Sequence, residues 1–247
     1  MMAVMDLVGA GQTHIEWPTI EQAVQAASWF PAAAERCLMY AGRRLEQSQD
    51  PTRRLRMREL IIDGLLGAAH TALESAPQSA RRCTRAAEKK LAFAQRCFER
   101  VQHLGGPAHD KLHLRDARLA IARALLDEAV RIAEAAPYQA KYKLSEACRF
   151  IRKAQEEGPA PSVVVALRDA YAALARTMIV RAATQPMGDL DCAPGALRMA
   201  EEFAAQAQQL GSRIDIQVET ARLSSCPTKA WLPALPAFAW MEMRASP

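Results

Sequence analysis

The chain has 247 residues, half of them hydrophobic but only 6% aromatic, with a formal net charge of +5. That length buries a substantial core in one large domain or two small ones. An alanine-rich, aromatic-poor composition, with Val163, Val164 and Val165 as its one β-branched run, excludes a sheet-built fold and favours closely packed helices.

Residues 1–18 read as an irregular lead-in, broken at Gly9 and Gly11 and closed by Trp17 and Pro18. Thr19 with Gln22 fits a capping box, and Ile20, Val24 and Ala27 then form one apolar face up to Pro31. Ala34, Leu38, Ala41 and Leu45 predict a second helix that stops near Pro51. Leu60 to Leu73 is strongly helical, and Ser75, Ala76 and Pro77 close it. From Ala80 to Val101, the positions Ala80, Thr84, Ala87, Leu91, Ala94, Phe98 and Val101 alternate by four and three, a seam for a close helical neighbour. Gly105, Gly106 and Pro107 end it.

The clearest hairpin runs from Lys111 to Glu157. Leu114, Ile121, Leu125, Ala129 and Ile132 share one face before Pro137; Leu144, Ala147, Cys148, Ile151 and Ala154 share one after it. Gly158 and Pro159 stop the second helix. A fourth unit begins with Ser162 as a cap, and its first face carries Val164, Leu167, Tyr171, Leu174 and Met178. After a loop from Pro186 to Pro194, Leu197, Ala200, Ala204 and Ala207 carry the second face to Gly211, and a short helical pattern follows from Ile214 to Leu223.

The stops at Pro51, Pro107, Pro159 and Gly211 lie 56, 52 and 52 residues apart. A fixed period of helical hairpins predicts an array in which each pair covers its neighbour's apolar face. The expected fold is therefore all-α: antiparallel hairpins over residues 19–225, in a tetratricopeptide-like solenoid of about four units, with an irregular helical bundle as the alternative. Residues 226–247 differ in kind. Pro227, Pro233, Pro236 and Pro247 preclude a continuous helix there. Trp231, Phe238 and Trp240 are expected either to cap a helical face or to bind a partner.

Six cysteines stand far apart with no C-x-x-C pair, which fits free thiols in a reducing compartment. No apolar stretch approaches the roughly 20 residues that span a bilayer, and MMAVMDLVGAGQ lacks the basic start of a signal peptide. The cytoplasm is the expected location. His103, His109 and His113 gather with Asp110 and Asp116 around the Gly105–Pro107 break, but without a third ligand at a motif spacing they read as a polar turn. No Walker loop, dinucleotide fingerprint, G-x-S-x-G elbow or H-E-x-x-H helix occurs, and no cofactor or metal is expected.

Charge is the remaining signal. Residues 1–42 carry −3, residues 43–100 carry +6, residues 101–153 carry +4 and residues 154–247 carry −2. A basic middle between acidic ends suits a polyanionic partner. Arg53, Arg54, Arg56 and Arg58 crowd one helix start, while Arg81, Arg82, Arg85, Lys89 and Lys90 crowd the next. Arg81, Arg85 and Lys89 recur every four residues as a stripe at a helix N-terminus, where the dipole disfavours cations. Arg53, Arg54, Arg56, Arg58, Arg81, Arg82, Arg85, Lys89, Trp231 and Trp240 are the candidate partner-binding residues.

Arg96 and His103 stand in an R-x6-H spacing that is similar to the Arg–His pair of HEPN ribonucleases, with Cys97 where those proteins usually carry a polar residue. That resemblance implies phosphate positioning by Arg96 and proton transfer by His103. The functional expectations are, in order, a non-catalytic protein-interaction scaffold, a nucleic-acid-binding helical protein using residues 53–90, and a HEPN-like ribonuclease.

Overall fold

Alanine-rich amphipathic segments satisfy their own backbone and bury one stripe, so helices dominate. The computed structural model describes residues 34, 36–40, 43, 51–107, 111–184 and 192–219, backbone only at 53, 192 and 193. The regular structure among the described residues is all α-helical: α1 (Pro51–Arg82), α2 (Thr84–His103), α3 (Lys111–Ile132), α4 (Pro137–Gln155), α5 (Pro161–Thr184) and α6 (Cys192–Gln209), with further helical residues at 34, 36–40, 43 and 216–219. The lead-in, the expected helix at 19–31, most of the loop at 186–194 and the tail at 226–247 with Trp231 and Trp240 lie outside the described residues. Among the described residues, no helix is long and apolar enough to cross a membrane.

The chain divides into two compact units, residues 1–124 with 150–159 and residues 125–149 with 160–247, so α3 and α4 each contribute to both. In the first unit α1 and α2 run antiparallel. Arg58 near the start of α1 donates to the Leu104 carbonyl just past α2, and Lys90 Nζ donates to Ser75 Oγ at 2.8 Å. All seven seam residues are buried, as are Ala72 and Ala76 on α1, so small side chains bring the two backbones close. Ile61, Phe93, Val101 and Ile121 fill the core around them. His70, Phe98 and His113 place their rings 5.5–6.3 Å apart, which docks the start of α3 on this hairpin.

The second unit is built on α5 and α6. Helix α5 has 24 residues, about 36 Å at the helical rise. The link 185–191 reaches at most about 29 Å even fully extended, so the packed pair must be antiparallel. Leu125, Val163, Leu174, Met178 and Ile179 form its core. Tyr171 lies 6.2 Å from the Phe203 ring and 3.6 Å from Cys148 Sγ, tying α4, α5 and α6 together. Burial and the Cys148 hydrogen bond push the Tyr171 phenol well above its ordinary pKa.

Two breaks differ from the sequence expectation. Helix α1 runs through Pro77 and ends at Arg82. Proline removes the donor to the Leu73 carbonyl and crowds the preceding turn, but Ala72, Leu73, Ala76 and Ala80 are buried on both sides of it, and that packing outweighs a combined cost of about 3 kcal/mol. The true break is Cys83, in extended conformation at φ −150 and ψ 110, with no side-chain cap. Ser162 is also not the cap of α5, which begins one residue earlier on Pro161 with the Ala160 carbonyl accepting from Val163 and Val164. Pro51, Pro137 and Pro161 each open a helix, where the missing N–H costs nothing.

Candidate functional site

Each basic residue is defined by what surrounds it. Arg58 is absorbed by the fold: its guanidinium caps the C-terminus of α2, and a Cβ at Gly105 would lie 2.2 Å from its Nη2. Gly105, at φ 69, ends α2 with paired bonds, its own N–H to the Gln102 carbonyl and the Gly106 N–H to the Val101 carbonyl. Arg54 and Arg56 are exposed on the first two turns of α1. The Arg53 side chain lies outside the described residues.

The stripe expected along 81–89 is interrupted at Cys83. Arg81 and Arg82 occupy the last turn of α1, where the helix dipole favours cations, rather than a helix start. Arg85 does sit in the first turn of α2, where a cation is disfavoured by about 0.3–1 kcal/mol. Among the described residues, Arg82, Arg85 and Lys89 are exposed, and their side chains form no hydrogen bond or ion pair. Lys90 turns inward instead: it is 9% exposed, and burial holds its pKa below the ordinary 10.5.

Arg96 and His103 are both exposed on α2, seven residues apart and therefore on one face. Arg96 and Arg100 border a cleft of about 30 Å³ with Leu38, Met39, Ile61, Leu65 and Cys97. That volume matches the share of a single water molecule, far below the roughly 300 Å³ at which small-molecule pockets begin. Of the histidine cluster, His109 lies outside the described residues together with Asp110. Among the described residues, no three His, Cys, Asp or Glu side chains are placed to hold a metal ion. Cys37, Cys83, Cys97 and Cys148 are free thiols.

Sequence reasoning passed over a surface on the second unit. Tyr138 and Tyr142 stand one turn apart on α4, 77% and 58% exposed. Lys141 between them pairs with Glu202 of α6. The only signal in the sequence was the i, i+4 tyrosine spacing opposite the buried stripe of Ala140, Leu144 and Ala147. Comparison of the chain with family models, curated proteins and solved structures gives no match.

Proposed function

We propose that the chain is a non-catalytic protein-interaction scaffold of the cytoplasm, its helical hairpins forming a tetratricopeptide-like solenoid of about four units. The carrying observation is the Tyr138 and Tyr142 ridge. Tyrosine supplies large contact area at low entropic cost and is enriched among the residues that dominate protein interfaces. The repeat reading is supported by the backbone. Among the described residues the positive-φ glycines are Gly105, Gly158 and Gly211, spaced by 53 residues in both steps and each just past the second helix of a hairpin.

The partner chemistry that fits is a protein segment burying both phenol rings while leaving their hydroxyls at the rim. A photo-crosslinking residue placed at Gln139 should trap one defined protein at near-equal stoichiometry. Tyr138→Ala with Tyr142→Ala should abolish that product without changing the circular dichroism. An identical crosslinked product from the double variant would end the assignment.

A second reading has its own observation, the unpaired cations Arg82, Arg85 and Lys89 around the α1–α2 turn. Unpaired and exposed arginine and lysine side chains on one hairpin fit a polyanionic partner such as nucleic acid.

A further inference from the structure

The α5–α6 pair runs on into a helix start. Past Gly211, Gln208 Nε2 donates to the Ile214 carbonyl at 2.7 Å, and the Asp215 carboxylate accepts from the Gln217 and Val218 N–H groups at 2.8 and 3.3 Å. Asp215 is thus an N-cap, and residues 216–219 are the first turn of a helix. Ile216 and Glu219 are half-buried on that turn, while Gln217 and Val218 are exposed. Its direction follows from its neighbours. Tyr171 meets Phe203 in the antiparallel pair, so Gln208 is level with about Ala166. The chain leaves that level at Ile214, and Glu219 meets Arg176 at 3.3 Å, about 15 Å farther along α5. It therefore turns back along the outer face of α5, toward the C-terminal end of that helix. Two strips then run in register. On α5, Ala173, Arg176 and Val180 stand at i, i+3 and i+7, within about 60° of one another. Ala173 is half-buried and Val180 is 40% exposed. Ile216, Glu219 and Leu223 repeat that spacing. With Glu219 on Arg176, Ile216 comes level with Ala173 and Leu223 with Val180.

We infer that the outer face of α5 is a docking surface for the chain's own residues 220–225, which continue the helix begun at Asp215 and set Leu223 on Val180. A single helical turn is unfavourable by itself, so a capped first turn implies a body. Thr220, Ala221, Arg222 and Leu223 can supply one, and Pro227 keeps Cys226 out of the helical region. The chain is its own occupant because Glu219 delivers it to this face one turn short of Val180. That tether gives an effective concentration no separate partner matches. Gln217, Arg222, Ser224 and Ser225 fall on the other side of the helix, with Val218 as the large apolar residue among them. A mostly polar outer face is how a helical array ends. Pro227, Pro233 and Pro236 preclude a continuous second helix to pair with this one, which makes it a cap and not a further unit. The inference concerns the α5–α6 end alone, so its failure and that of the tyrosine-ridge partner are separate results.

The test places a photo-crosslinking residue at Val180 of the full chain and maps the product by mass spectrometry. An intramolecular product joining residue 180 to residues 219–225 is expected, in equal yield over about a hundredfold range of protein concentration. A crosslinked dimer whose yield rises with concentration would assign the face to a second copy and overturn the inference. A product with any other segment in place of 219–225, or no product, also overturns it. Substitutions then separate docking from helix formation alone. Leu223→Asp should speed amide exchange across residues 216–225 by about tenfold or more, whereas Ala221→Asp, on the outward side, should change it by less than about twofold. Leu223→Met should keep wild-type exchange. Protection of α6 reports that the pair still folds in each variant. Equal exchange in Leu223→Asp and Ala221→Asp overturns the register.

Discussion

At the residue scale, a cation's role is set by what the fold places beside it. Lys90, Arg58 and Arg85 look alike in the sequence, yet one is buried on a serine, one caps a helix and one is exposed without a partner. The Lys90 ammonium sits between α1 and α2 at a desolvation cost, which is why its pKa falls below 10.5. A depressed lysine pKa means the unfolded chain holds the proton more tightly. The penalty is therefore full at low pH and is relieved as pH rises toward 10.5, so this group makes stability climb with pH in that window. Lys90→Met keeps the volume and removes the buried charge, and Ser75 Oγ still donates to the Thr71 carbonyl at 2.9 Å. Urea unfolding should show the variant as stable as the wild type or more so, with a flatter rise as pH climbs toward 10.5. A loss above about 2 kcal/mol would show that the Lys90–Ser75 contact itself stabilises the hairpin, and an unchanged pH slope would show that Lys90 is not the group that sets it. None of this was legible beforehand, because Arg58 meets a carbonyl 46 residues away and Lys90 a hydroxyl 15 residues away. Buried positions were far more legible, since all seven predicted seam residues from Ala80 to Val101 are buried.

At the scale of elements, proline and glycine were legible as punctuation, but the sense of each mark depended on packing. Gly105, Gly158 and Gly211 close helices where the sequence places the stops, because positive φ is open to glycine at little cost. Pro137 separates α3 from α4 as expected, and the helix it adjoins begins on it. Pro77 belongs inside α1, and its surroundings explain why a local breaker lost. Thr71, Ser75 and Ser79 hydroxyls bond back to carbonyls one turn earlier, while buried alanines hold the strained turn against α2. Nothing local marks Cys83 as the break, since cysteine tolerates a helix; the reversal there is imposed by the packing of α2 back on α1. Pro77→Ala restores the missing N–H and removes the ring's clash with the preceding turn. It should raise the unfolding free energy by about 1–2 kcal/mol, the helical gain less the entropy that proline withholds from the unfolded chain. A destabilised Pro77→Ala would mean that the bend, rather than the packing, fits α1 to α2.

At the scale of the molecule, the first two described hairpins share a fastening that no residue consensus advertised. Arg58 of α1 donates to Leu104, beside Gly105; Arg115 of α3 donates to Pro159, beside Gly158. In both pairs an arginine near the start of the first helix reaches a carbonyl just past the second, where orphan acceptors gather. The α5–α6 pair keeps the glycine, with Gly211 at φ 87 and the Ser212 N–H on the Ala207 carbonyl, but Arg168 pairs with Asp169 instead. The prolines and glycines disclosed the period; the arginines that use it were hidden because their spacing from the glycine varies. If the hairpins are units of a solenoid, stability is a sum of local terms and nearest-neighbour terms. Arg115→Ala should then lower hydrogen-exchange protection across the paired ends of α3 and α4, where Arg118 also pairs with Glu157, and leave α5 and α6 near wild type. Arg58→Ala should shift the loss to α1 and α2. Equal loss of protection in all six helices from either substitution would describe one cooperative bundle, and the repeat reading would fall with it.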